Sequence, residues 1–321
     1  MCLFPKLIKN PRYLPNKKNG GNPPVCEDIR KLYVPIGCGN CIECRKQKAQ
    51  QWRIRLSEEI KVQKYAYYCT YTFSNEELRK LRRELHMREC NAIAGKALRR
   101  FLERWRKTYK KSLKHWFITE LGHEGTERIH LHGIIFSSFE ITKELFQQYW
   151  KYGNVRIGEY CNLRTINYIV KYVTKIDTDH KGFIGEIFCS AGIGRNYLQR
   201  EIIKDIHRFK DGNTIEYYRA TNGTKLNLPI YYRNHLFTEE QRGQLWINKI
   251  EQKRRFVLGV EIDISTKQGQ ETYYRVLKKA QEKNKQLGYG DFSKEWKKRA
   301  YNITSRMLND REKYIVSAGK P

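Results

Sequence analysis

The sequence predicts an α+β fold, with an antiparallel central sheet, flanking helices and a helical C-terminal region. Three observations carry that prediction. Residues 65–73 alternate strictly between two side-chain sets, and the strand-like runs 115–121 and 129–136 lie close enough to form a hairpin. The stretches between and after them show helical periodicity. Together they give the order β-α-β-β-α-β-α over residues 65–176, in which helices cover a sheet of antiparallel strands.

The elements follow in order. Residues 1–37 are rich in Pro, Gly, Asn and Lys, as in Asn16-Lys17-Lys18-Asn19-Gly20-Gly21-Asn22-Pro23-Pro24, so regular structure there needs an external staple. From 41 to 64 Trp52, Leu56, Glu59 and Ile60 recur at helical spacing. Tyr65, Tyr67, Cys69, Tyr71 and Phe73 then share one strand face, with Ala66, Tyr68, Thr70 and Thr72 on the other. Ser74 reads as an N-cap, with Glu76 and Glu77 in the first turn of a basic helical region that reaches about 111 and breaks near Asn91 or Gly95. After the hairpin, whose turn is 122–128, come a short helix at 143–152, a strand at 154–160 and a helix at 163–176. Residues 177–260 mix loops and short strands. Residues 265–314 are charged and helical, interrupted near Gly288-Tyr289-Gly290. The expected division is an irregular segment with a cysteine cluster at 1–45, one domain at 46–200, and a C-terminal region at 201–321 whose role the sequence leaves unassigned.

Lys and Arg number 63 against 34 Asp and Glu, a formal charge of +29 spread along the chain. A polyanionic partner is the simplest reason to tolerate such self-repulsion. With 40% hydrophobic residues the 321-residue chain is not a disordered tail. No apolar run reaches membrane-spanning length and Met1-Cys2-Leu3-Phe4-Pro5-Lys6 has no signal-peptide core, so a soluble cytoplasmic protein with no membrane partner is expected. There is no Gly-x4-Gly-Lys-Ser/Thr run, so the chain is not expected to unwind DNA itself.

Two constellations carry chemistry. His130 and His132, i and i+2 on a strand, share a face and suit one metal ion; Glu120 on the preceding strand would be brought beside them by the hairpin. Two nitrogens and a carboxylate leave open positions on Mg²⁺ or Mn²⁺. Tyr168 and Tyr172, four apart on a helix, offer two phenols to one site, each with a lysine three residues on, Lys171 and Lys175. A neighbouring ammonium favours phenolate and holds phosphate, as a tyrosine attacking DNA requires. Each motif taken alone also has a plainer reading, a hydrogen-bonding strand surface for the histidines and a buried helix stripe for Tyr168, Ile169, Tyr172 and Val173. Asp177-Thr178-Asp179-His180 reads as a solvated loop.

Nine cysteines include Cys38, Cys41 and Cys44, closer together than a disulfide framework places them. Three thiolates point to structural Zn²⁺ with Cys2 or Cys26 as the fourth ligand; free reduced thiols and an iron–sulfur cluster stay open.

The chain resembles the HUH-type initiators of rolling-circle replication. Tyr168-Ile169-Val170-Lys171-Tyr172-Val173-Thr174-Lys175 is similar to the two-tyrosine motif of the microvirus group, Microviridae. Met1-Cys2-Leu3-Phe4-Pro5-Lys6, Cys38-Gly39-Asn40-Cys41-Ile42-Glu43-Cys44 and Arg128-Ile129-His130-Leu131-His132-Gly133 are similar to the initiators of gokushoviruses within it. The resemblance covers roughly the first 200 residues. It implies an HUH endonuclease-like sheet whose first motif strand ends at Tyr71-Thr72-Phe73, His130 and His132 as metal ligands, and Tyr168 and Tyr172 as nucleophiles. It also favours Cys2 over Cys26, because the family begins with Met-Cys. The implied partners are the single-stranded and supercoiled viral origin, with host DNA polymerase and a host helicase, in the host cell cytoplasm. Two rivals remain at this level. A mobilisation relaxase or transposase would run the same chemistry on a different DNA, and a non-catalytic basic nucleic-acid-binding protein would show salt-sensitive binding without nicking.

Overall fold

The computed structural model describes residues 2–86, 89–122, 128–158, 161–177, 179–180 and 183–291. In chain order the elements are β1 (Lys6–Lys9), β2 (Tyr33–Ile36), α1 (Ile42–Ile60), β3 (Tyr65–Tyr71), α2 (Asn75–Glu84), α3 (Cys90–Tyr109), β4 (Lys114–Leu121), β5 (Ile129–Ser137), α4 (Lys143–Tyr149), β6 (Val155–Ile157), α5 (Leu163–Ile169), α6 (Lys171–Thr174) and β7 (Ile187–Cys189). They continue with α7 (Asn196–Gln199), α8 (Glu201–Ile206), β8 (Tyr217–Arg219), β9 (Lys225–Asn227), α9 (Ile230–Leu236), α10 (Glu239–Glu251), β10 (Arg254–Val257), β11 (Val260–Asp263) and α11 (Lys267–Gln286). The chain divides into two compact units, residues 52–196 and a discontinuous one in which residues up to 51 join those from 197 onward. The cysteine segment therefore belongs to the same unit as the C-terminal region instead of standing alone.

The 52–196 unit holds the predicted antiparallel sheet, in the order β6-β3-β5-β4-β7. Its alternation is obeyed. Cys69, Tyr71 and Phe73, with Phe117, Leu121, Ile129, Leu131 and Ile135 from β4 and β5, point into a core shared with Leu98, Phe101 and Trp105 of α3 and Trp150. Gly133 sits on this face because a Cβ there would lie 2.1 Å from the ring of Phe117 on the adjacent strand. The opposite face carries Tyr68, Thr70, Glu120, His130 and His132. Glu59 of α1 is buried, yet it is satisfied by Lys114 Nζ at 2.7 Å and the Gly194 amide at 2.7 Å.

Three local expectations are corrected. The basic helical region breaks at 85–89, where His86 takes a left-handed φ of 48°, and not at Asn91 or Gly95. The Glu89 carboxylate caps the amides of Asn91 and Ala92, and Gly95 lies buried inside α3. The helix expected over 163–176 is two short ones. Val173 N–H bonds to Val170 O one residue closer than in an α-helix, a tightening at a run of branched side chains. The short edge strand β7 has too few residues for alternation to reveal it. The residues predicted helical beyond 291, and the hairpin turn 123–127, lie outside the described residues.

The other unit is built from three antiparallel strand pairs, β1 with β2, β8 with β9 and β10 with β11, and from α8 to α11. Beside α11 a small core joins Leu3, Cys38, Cys41 and Ile42 to Val257, Ile262 and Ala280. No helix among the described residues is long and apolar enough to cross a membrane.

Candidate active site

Register assembles the site. In the β4–β5 pair Glu120 stands opposite His130 and Ile118 opposite His132, while in the β3–β5 pair Thr70 stands opposite His132. Glu120 is thus the diagonal neighbour of His132, within side-chain reach, and its Oε2 lies 2.9 Å from His132 Nε2. The other ring nitrogen, Nδ1, is 3.1 Å from Thr70 Oγ1 and 3.3 Å from the Tyr68 hydroxyl. His132 is therefore fixed from both ends, the condition under which an imidazole makes an oriented ligand. His130 shares the face, but its ring centroid is 6.3 Å from that of His132, so the structure brings Glu120 and His132 into contact and leaves His130 beside them.

Both phenols reach the same place. Tyr172 stacks on His132 with ring centroids 4.5 Å apart and an interplanar angle of 6°, and the Tyr168 and Tyr172 hydroxyls are 3.2 Å apart. Ile166, Ile169, Val170 and Val173 form the buried stripe of this segment, whereas Tyr168 is 48% exposed. The plainer stripe reading thus holds for the aliphatic residues and fails for the tyrosines.

The lysines act differently from expectation. Lys175 Nζ is bonded to Glu120 Oε1, and Lys171 Nζ lies 5.7 Å from the centre of the Tyr168 ring. Burial, reinforced by the hydrogen bond with Tyr168, pushes the Tyr172 phenol well above its ordinary range, so the phenolate expected there is disfavoured. Burial alone would also push Glu120 up, but its hydrogen bonds with His132 and Lys175 outweigh that and hold the carboxyl below the usual glutamate range. His130 is lowered by burial and then by its neighbour His132, which keeps it neutral and able to coordinate.

A cavity of about 510 Å³ opens on this face, lined by Thr70, Glu120, His130 and His132 and rimmed by Arg128 and Arg156. Sequence spacing does not single out Tyr68, Thr70, Arg128 or Arg156. The first two declare themselves only through β3–β5 register, and the arginines are two among 63 basic residues. The donor set fits a hard divalent ion. Ligands 2.1 Å from an octahedral ion lie about 3.0 Å from each other, which is the spacing already held by His132 Nε2 and Glu120 Oε2.

The remaining predicted residues fall elsewhere. Cys2, Cys38, Cys41 and Cys44 bring all four sulfurs within 4.8 Å of one another, and Cys26 instead bonds to Asp28 O at 3.2 Å. Among the described residues no other group of His, Cys, Asp and Glu converges so closely. Asp177 accepts from the His180 amide and faces its ring nitrogen at 2.9 Å, closing a local turn.

A five-stranded antiparallel sheet that presents His-x-His beside a tyrosine-bearing helix defines a class of protein acting on DNA strands. A family model for the replication-associated protein ORF2 matches residues 66–177, 112 of the 321 in the chain. The chain is thus similar to replication-associated proteins over the stretch from β3 through α6, which contains Glu120, both histidines and both tyrosines and none of the four clustered cysteines. No curated protein and no solved structure matches the chain.

Proposed function

We propose that this protein is an HUH-type rolling-circle replication initiator, a site-specific nickase and strand-joining transesterase acting at the origin of a microvirus genome, with the gokushovirus initiator VP4 as its counterpart. One observation supports the reading above the others. Two tyrosine hydroxyls 3.2 Å apart adjoin a histidine held by a carboxylate, so nucleophiles and ligands share one site. A purely structural helix stripe gives no reason for that.

His130, His132 and Glu120 would hold Mg²⁺ or Mn²⁺, which when bound polarises the scissile phosphate. The chain's own residues do the rest. Arg128 and Arg156 flank the cavity and grip phosphates of the strand being cut. A phenolic oxygen attacks phosphorus in line; the bond from phosphorus to the 3′ oxygen breaks as the bond to the tyrosine forms. The phenol gives up its proton and the departing 3′ oxygen takes one up, leaving a 5′-phosphotyrosine and a 3′-OH. Tyr168, the exposed phenol, is the one DNA meets first. A host polymerase extends the 3′-OH while a host helicase opens the duplex. The second tyrosine then cuts the regenerated origin, and the released 3′-OH attacks the first phosphotyrosine to close a single-stranded circle. One phosphodiester is exchanged for another throughout, so joining needs no ATP.

The test incubates purified protein with the supercoiled circle that encodes it and Mn²⁺, and looks for a denaturant-resistant protein–DNA adduct. Tyr168→Phe and Tyr172→Phe should each leave an adduct, mapped to the other tyrosine, and the double variant should form none. An adduct on the double variant would refute the assignment.

A further inference from the structure

We infer that Cys2, Cys38, Cys41 and Cys44 form a closed tetrathiolate site for one structural Zn²⁺ ion. The site lies outside the matched segment, and its case stands apart from the proposed enzymatic activity. It rests on distances. Cys2 Sγ is 3.9 Å from Cys41 Sγ, Cys38 Sγ is 3.9 Å from Cys44 Sγ, and all four sulfurs lie within 4.8 Å of one another. Tetrahedral zinc with 2.3 Å bonds places its sulfurs about 3.8 Å apart, whereas a disulfide needs about 2.05 Å and none of the four is so bonded. A cluster of several irons would spread the sulfurs further than a single ion does.

The backbone is arranged for thiolates. The amides of Phe4 and Cys38 donate to Cys2 Sγ at 3.3 and 3.2 Å, and the Cys41 amide donates to Cys38 Sγ at 3.2 Å. Such bonds delocalise the negative charge of a metal thiolate. Gly39, with φ of 74°, makes the turn that returns Cys41 to Cys38, and a Cβ at Gly37 would come within 3.1 Å of Cys44 Sγ. Four thiolates on Zn²⁺ leave two negative charges; Arg45, itself buried, lies close enough to interact with Cys38 and Cys41.

The surroundings say what the ion does. Cys38 and Cys41 belong to the small core with Leu3, Val257, Ile262 and Ala280. Asn284 of α11 accepts from the Ile42 amide at the start of α1 at 2.9 Å, and Gln281 donates to Leu3 O at 2.7 Å. An ion at this point ties the second residue of the chain to the start of α1 and to the core beside α11, the kind of stapling by which metals stabilise small cores.

The test uses the full-length protein. Elemental analysis after gel filtration in EDTA should find one zinc per chain and no acid-labile sulfide. Replacing zinc by Co²⁺ should give thiolate-to-cobalt charge-transfer bands together with the strong visible bands of a tetrahedral ion. Cys2→Ser should lose its zinc to EDTA, while Cys26→Ser should keep it. A metal-free chain that takes up no Co²⁺, a preparation carrying iron and sulfide, or a cobalt spectrum unchanged in Cys2→Ser would each overturn the site. The wild-type cobalt spectrum decides the matter even if Cys2→Ser fails to fold.

Discussion

In the 52–196 unit, the candidate ligands His130, His132 and Glu120 stand on one face of a sheet whose other face is closed by 24 buried residues. In the other unit, two of the four sulfurs are themselves members of a buried cluster of seven. The first arrangement has a scaffold that hydrophobic burial holds in place by itself, so its donors are free to leave coordination positions open to a phosphate. The second has little apolar mass, and its donors are spent in closing a coordination sphere. Open oxygen–nitrogen sites suit catalysis and closed sulfur sites suit architecture, and the two can be separated by experiment.

The largest effect should come from removing one donor of each kind. His132→Ala takes away a ligand, the partner of Glu120 and the surface on which Tyr172 stacks. Nicking of a supercoiled circle should fall by about a thousandfold, equivalent to about 4 kcal/mol at 1.36 kcal/mol per tenfold, with zinc content unchanged. Cys41→Ser should do the reverse to metal content, releasing zinc and opening the N-terminal segment to protease. Loss of zinc from His132→Ala would show that the two sites are not independent.

How much of this was legible in the sequence follows the same divide. Alternation revealed β3, β4 and β5 because one face is buried and the other is not, and spacing on those strands was enough to nominate Glu120, His130 and His132. The tyrosines were legible because α5 and α6 keep them one turn apart despite the break at Val170. What spacing could not supply was anything set by register between distant segments, such as Thr70 opposite His132. It also missed the Lys175–Glu120 bond, which redirects a lysine expected to serve a phenol. The cysteine triplet was visible as a motif, but the union of residues 2–44 with the core beside α11 depends on contacts more than 200 residues apart along the chain, such as Ile42 with Asn284.

Scaffold strength can be probed at Gly133. A Cβ there would collide with the Phe117 ring, itself buried in the core. Gly133→Ala should cost about 1 to 3 kcal/mol, the usual range for overpacking, read as a lower denaturant midpoint. An unchanged midpoint would mean that the strands can move apart and that the sheet is less firm than the comparison requires.

A smaller effect is expected at Thr70. Thr70→Val removes the oxygen 3.1 Å from His132 Nδ1 and leaves the Tyr68 hydroxyl as the only partner there. Loss of an outer hydrogen bond to a ligand lowers metal affinity or activity by about 10- to 100-fold, so nicking should drop by about tenfold and recover as Mn²⁺ is raised. Failure of added Mn²⁺ to restore activity would assign Thr70 a purely structural part.

The smallest change should follow Arg156→Ala. Arg156 lies on the rim of the cavity, on the edge strand β6, where it is exposed and can meet a DNA phosphate without having been desolvated beforehand. Removing one phosphate contact reduces the slope of log affinity against log salt by about 1, so single-stranded oligonucleotide binding should weaken several-fold at low salt and converge on wild type as salt rises. Because an exposed arginine holds neither core nor ligand, zinc content and denaturant midpoint should stay where they are. A salt slope equal to wild type would move the DNA path off this rim, and the nucleophiles would then have to be approached from the side of Tyr168 alone.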